Sequence, residues 1–203
     1  MKCPYRTYIL ILPLMALFCT ACNLKITKVK SQDISCLFDK SCRVTVHDTS
    51  SAIPLPASGT MFLQSRTYQG SKGSEAEGIY AYEYRIDLRD GIGITYIPCI
   101  TSMRITFTPI HAGLDYDKDG SPDQIFVVTK GGMGNIAISS AEKKGDTITF
   151  TFETPVCVGG QAGKGDSTYF FGLTSPRPPS ITKATLKGLQ DESYEVEVRS
   201  AIP

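Results

Sequence analysis

The sequence predicts an all-β chain, folded as an antiparallel β-sandwich in a single domain over residues 34–203. The first observation is hydrophobic alternation of period two, which places successive side chains on opposite faces of a half-buried strand. The second is punctuation: 18 Gly and 12 Pro fall mostly between the alternating stretches, where turns need them. The third is that no window carries a 3.6-residue period of useful length. Short strands at this spacing make a sandwich or a barrel, here a sandwich of jelly-roll or Ig-like type.

In chain order, strands are expected at 43–47 and 60–65, then at Tyr80 to Leu88, the clearest of all. There Tyr80, Tyr82, Tyr84, Ile86 and Leu88 share one face, while Glu83, Arg85, Asp87 and Arg89 share the other. The aromatic stripe suits a buried core better than a sugar platform, because two aliphatic residues continue it. Segment 69–78 (QGSKGSEAEG) before it reads as a mobile loop. Weaker strands follow at 94–98, 103–108, 124–129 and 135–139. Lys143-Lys144-Gly145-Asp146 is a hairpin turn into the strand Thr147 to Phe152, where Ile148, Phe150 and Phe152 alternate with threonines. Strands at 168–173 and 181–187 come next, separated by the extended Pro-rich turn 174–179. The last strand carries Tyr194, Val196 and Val198 against Glu195, Glu197 and Arg199.

Residues 1–22 (MKCPYRTYILILPLMALFCTAC) have the form of an export leader: a positive start with Lys2 and Arg6, then an apolar stretch from Tyr8 to Phe18. That stretch is shorter than the ~20 residues a bilayer span needs, and Pro13 interrupts it. Phe18-Cys19-Thr20-Ala21-Cys22 resembles the lipobox of bacterial lipoproteins, with Thr20 and Ala21 in the small positions and Cys19 where the pattern usually has Leu. The resemblance implies a signal peptide over 1–21, a lipidated Cys22 and a membrane attachment through that lipid. Ordinary cleavage after Ala21 is the competing reading. Asn23 follows the cysteine; in Gram-negative lipoproteins an Asp there retains proteins at the inner membrane, so the resemblance implies the outer membrane of a bacterial envelope. Residues 22–33, polar and aperiodic, are expected to be a tether.

Removing the leader leaves 182 residues with 19 basic and 20 acidic side chains. A near-neutral chain with no basic run offers no electrostatic footprint for nucleic acid. Four cysteines remain beyond Cys22: Cys36, Cys42, Cys99 and Cys157. An even number in an exported chain reads as two disulfides, with three connectivities possible. Cys36 and Cys42 are close enough to staple a local loop, and Cys99 and Cys157 each end a strand after a proline-containing step, so the expected pairs are 36 with 42 and 99 with 157. The spacing is wrong for zinc: there is no C-x-x-C.

One constellation carries chemistry. Asp115, Asp117, Asp119 and Asp123 occupy positions 1, 3, 5 and 9 of a loop with Gly120 at position 6. Hard cations such as calcium take six to eight oxygens, and alternate residues of a tight loop point at one centre. The Ser121 carbonyl is the candidate at position 7. An EF-hand would place Glu where Phe126 stands, and would flank the loop with helices. The pattern resembles instead the calcium loops of FG-GAP repeats and thrombospondin type-3 repeats, and in the FG-GAP case the loop runs straight into a strand. The resemblance covers nine residues and implies a structural calcium ion, not a propeller. An ion-free polar turn is the competing reading.

Gly159 to Gly165 lacks phosphate-loop spacing, and His47 and His111 have no motif that would pair them with a nucleophile. The expected function is a non-catalytic lipoprotein module that binds an unidentified protein or glycan ligand. The alternative is an exported hydrolase acting on polysaccharide.

Overall fold

The computed structural model describes residues 21–202. The chain opens with β1 (Cys22–Asn23) and β2 (Ile26–Lys30), turns through one helix, α1 (Ser31–Phe38), and continues with β3 (His47–Ala52), β4 (Ser58–Gln69) and β5 (Tyr80–Ile92). Then come β6 (Cys99–Thr106), β7 (Ile125–Lys130), β8 (Ile138–Lys144), β9 (Thr147–Cys157), β10 (Phe170–Ser175), β11 (Ser180–Gly188) and β12 (Ser193–Ser200). They form two six-stranded sheets. The first runs β1-β8-β9-β6-β11-β12 and the second β2-β7-β10-β5-β4-β3. All pairings are antiparallel except β2 on β7. The chain is a β-sandwich in one domain.

The main core lies between the sheets. Tyr82, Tyr84, Ile86 and Leu88 of β5 meet Met103, Ile105, Ile148 and Phe150 of the facing sheet, all at most 1 % exposed. Phe150 and Phe171 pack at 5.0 Å between ring centres, and Tyr82 meets Phe107 edge-on at 5.0 Å. The two tyrosines keep their hydroxyls satisfied, Tyr82 donating to the Arg177 carbonyl at 2.7 Å and Tyr84 to the Arg199 carbonyl at 2.9 Å. A buried tyrosine is tolerated only with such a partner.

A second core covers the other face of the second sheet. Ile34, Leu37 and Phe38 of α1 pack on Tyr68, Ala81, Tyr116, Phe126 and Phe170. The helix is short, and its Ile34, Leu37 and Phe38 spacing puts a single apolar edge against the sheet. Segment 70–79 is fixed there as well: Ala76 is fully buried, and its N–H donates to the Leu37 carbonyl at 3.1 Å.

Several expectations are corrected. Residues 22–33 are not a tether: Cys22 and Asn23 pair with Lys143 and Glu142, Ile26 to Lys30 pair with β7, and α1 follows at once. Lysines at 25, 28 and 30 hide the strand, because Ile26 faces one core and Val29 the other. Residues 94–98 are a loop rather than a strand, with Ile94 79 % exposed. The polar face of β5 is not solvated along most of its length, since Glu83, Arg85 and Asp87 are buried. Both disulfides form as expected, Cys36–Cys42 and Cys99–Cys157. The second joins directly opposed residues of β6 and β9. The leader, residues 1–20, lies outside the described residues.

Candidate functional site

The Asp-rich loop is held by the outer core. Tyr116, between the first two aspartates, is fully buried; it packs edge-on to Phe126 at 5.0 Å, and its hydroxyl shares a hydrogen bond with Thr174 at 2.9 Å. Burying the even position turns Asp115 and Asp117 outward on the same side. The Asp123 N–H closes the base of the loop on the Leu114 carbonyl at 2.8 Å, and β7 starts two residues later.

Within the loop, backbone donors fix the carboxylates. Asp115 accepts the N–H of Gly120 at 2.7 Å and that of Asp119 at 3.2 Å. Desolvation pushes the Asp115 carboxyl pKa up, but the N–H groups of Gly120, Lys118 and Asp119 outweigh it and hold the group below its ordinary value. Gly120 has φ +89°, which a side chain would strain. Asp117 accepts from Asp119 N–H at 3.1 Å. Asp123 is 0 % exposed; it accepts Tyr116 N–H at 2.9 Å on one oxygen and the Thr27 hydroxyl at 2.6 Å on the other.

Asp115, Asp117 and Asp123 each offer an oxygen within 4.8 Å of the others, so the cluster could hold a metal ion. An all-oxygen, all-carboxylate set suits a hard cation. Asp119 is turned away from this trio: one oxygen accepts Ser121 N–H at 2.8 Å and the other faces Lys25 at 3.5 Å. Ser121 is exposed and contributes that N–H.

Lys25 is the residue the sequence reading missed. Its ammonium lies 2.9 Å from Asp123 Oδ1, and the Lys25 carbonyl accepts Ile125 N–H at 3.1 Å. The bond to Asp123 raises the lysine pKa. A cation therefore already neutralises part of the cluster. The tether reading absorbed the lysine-containing stretch that carries it, residues 23–30.

A second polar cluster fills the outer face of β4 and β5. Arg85 pairs with Asp87 at 3.0 Å and donates to Gln64 at 3.0 Å. Asp87 also takes a two-pronged contact from Arg89, at 2.9 and 2.6 Å. Glu83 accepts the Tyr68 hydroxyl at 2.8 Å. Burial pushes the Glu83 carboxyl pKa up, against the opposing pull of Tyr68 and Arg66. His47 and His111 sit in different settings: His47 starts β3 beside a cavity of about 250 Å³, and His111 precedes the Asp loop, where burial lowers its pKa.

Fold and site together define a disulfide-linked β-sandwich with a carboxylate loop able to hold a cation. No family model, curated protein or solved structure matches the chain.

Proposed function

We propose that the protein is an exported lipoprotein, anchored through Cys22 in the bacterial outer membrane, whose β-sandwich binds one structural calcium ion and works as a non-catalytic binding, adhesion or envelope module. The observation that carries the calcium reading is the convergence of Asp115, Asp117 and Asp123, with Asp123 fully buried and clamped from three sides. The ion would sit between those three carboxylates and tie the loop to β2 and β7. Export is supported by two disulfides, which persist in oxidising compartments, and by the lipobox-like residues ending at Cys22. In this reading the lipid follows directly on a strand, since Cys22 and Asn23 are paired with β8. The ion's role is structural, because the groups around it are loop amides, Thr27 and Lys25 rather than a nucleophile with its base. The test is elemental analysis and calcium titration calorimetry on protein purified from the envelope fraction. Stoichiometric binding lost in Asp117→Ala supports the reading; no bound ion and no heat of binding refutes it.

A further inference from the structure

Arg66 and Glu83 are directly opposed on β4 and β5, on the outer face of the second sheet. Unlike charges in that register ordinarily close into a cross-strand pair. These two do not, because each is held by another partner. The Arg66 Nε donates to Asp48 at 3.0 Å, and its guanidinium carbon lies over the Phe170 ring, 4.1 Å from the ring centre. Glu83 is turned to the Tyr68 hydroxyl, and is 7 % exposed. Both residues line one cavity of about 280 Å³.

The rest of that cavity is built from Ser31 at the start of α1, Val128, Phe170 and the loop 131–134 carrying Met133. The loop's shape is fixed by Gly134, with φ +100°, where any Cβ would lie 2.0 Å from the Thr168 carbonyl oxygen. The cavity thus has a guanidinium and a carboxylate held apart, with an aliphatic and thioether wall beside them.

We propose that this cavity binds a small zwitterion of the amino-acid type. Arg66 would receive the ligand carboxylate, Glu83 its ammonium, and Val128 and Met133 its side chain. An anion alone would face Glu83, and a cation alone would face Arg66. A ligand carrying both charges satisfies each group and gives the buried Glu83 carboxylate a cation in direct contact, which Arg66, drawn to Asp48, does not supply. The volume, about 280 Å³, falls just below the range usual for drug-sized ligands, which suits a ligand as small as a single amino acid. This inference is independent of the calcium and lipid readings, because neither the Asp loop nor Cys22 lines the cavity.

The experiment is calorimetric and NMR titration of the full chain, disulfides formed, with free alanine, valine, leucine and methionine. Their N-acetyl and amide derivatives, each lacking one charge, serve as controls. Saturable binding of at least one free amino acid is expected, roughly tenfold or more tighter than either derivative, with shifts at the Met133 methyl and the Tyr68 ring. Glu83→Gln keeps an acceptor for Tyr68, so it should fold and melt normally yet bind at least roughly tenfold more weakly. Arg66→Gln should do the same for the carboxylate. No saturable binding by any of the four, equal binding by the singly charged derivatives, or undiminished binding in both variants overturns the proposal.

Discussion

Withdrawing calcium is expected to lower the melting temperature by about 5–11 °C. An ion that binds only the folded chain adds RT ln(1 + [Ca²⁺]/Kd), about 2.7 kcal/mol at 100 times Kd, and a domain of this size shifts ~2–4 °C per kcal/mol. Asp117 is the residue to change. It is exposed and accepts only the Asp119 N–H at 3.1 Å, whereas Asp123 is buried in the Thr27, Tyr116 and Lys25 network and its loss would damage the fold itself. Asp117→Ala in chelator should therefore melt within a few degrees of the parent, since one exposed hydrogen bond contributes at most about 1 kcal/mol. In calcium it should stay there, with no response. Lys25→Met gives the opposite result. The Lys25 ammonium lies 2.9 Å from Asp123 Oδ1 and competes with any cation for that oxygen, so removing its charge should tighten calcium binding, by roughly tenfold or less given solvent screening of an exposed charge. Magnesium should substitute poorly, since it demands a tighter octahedral shell. Scanning calorimetry in calcium, magnesium and chelator reads all of these. A parent melting curve indifferent to calcium and chelator would reduce the loop to a polar turn, and unchanged affinity in Lys25→Met would move any ion away from Asp123.

Cys22→Ser, expressed in a bacterial host, should shift the protein from membrane to soluble fractions and abolish fatty-acid labelling; unchanged partition refutes lipidation. Loop-closure entropy assigns the Cys99–Cys157 bridge, spanning 58 residues, about 4 kcal/mol, and the Cys36–Cys42 bridge, spanning 6, about 2 kcal/mol. Denaturant titrations of the two double Cys→Ser variants should rank in that order, and the reverse order would contradict the entropic account. Asp87 gives a pH dependence. Desolvation raises its carboxyl pKa, but the Arg89 bonds and the Arg85 charge outweigh it and hold the group below its ordinary 3.8. A depressed folded pKa stabilises the chain above the unfolded value and stops doing so as pH falls through the folded one. Stability should therefore decline below about pH 4, and Asp87→Asn should flatten that limb while destabilising the chain at pH 7. An unaltered acid limb would remove Asp87 from the account.

The sandwich was legible wherever a strand has one wet face. Thr147 to Phe152 and Ser193 to Ser200 alternate in sequence and in burial alike. Legibility failed where the outer layer intervenes. Glu83, Arg85 and Asp87 have the composition of a solvated face, and partners distant in sequence cover them: Tyr68 on Glu83, Gln64, Ser167 and Phe170 on Arg85, and Ser167 beside Asp87. Eight residues with three core contacts are too few to show a helical period. β2 escaped notice because its apolar residues divide between two cores. At the Asp loop the ligand spacing was readable, because alternate residues of a loop encode direction. Lys25 and Thr27 were not, since a parallel pairing between residues about a hundred apart leaves no local trace. The cavity between Arg66 and Glu83 was invisible for the same reason: it depends on which partner each side chain chooses.

The second sheet is a middle layer, with the first sheet on one side and α1 with its flanking loops on the other. That arrangement separates two tiers of backbone hydrogen exchange. Amides of β5 and β10, paired on both edges and roofed on both faces, are released only when the whole domain opens. Amides of α1 are expected to exchange at lower cost, because only the Ile34, Leu37 and Phe38 edge of this short helix is buried. The Cys36–Cys42 bridge ties that helix to the loop that follows it, so its end stays closed even where its amides exchange.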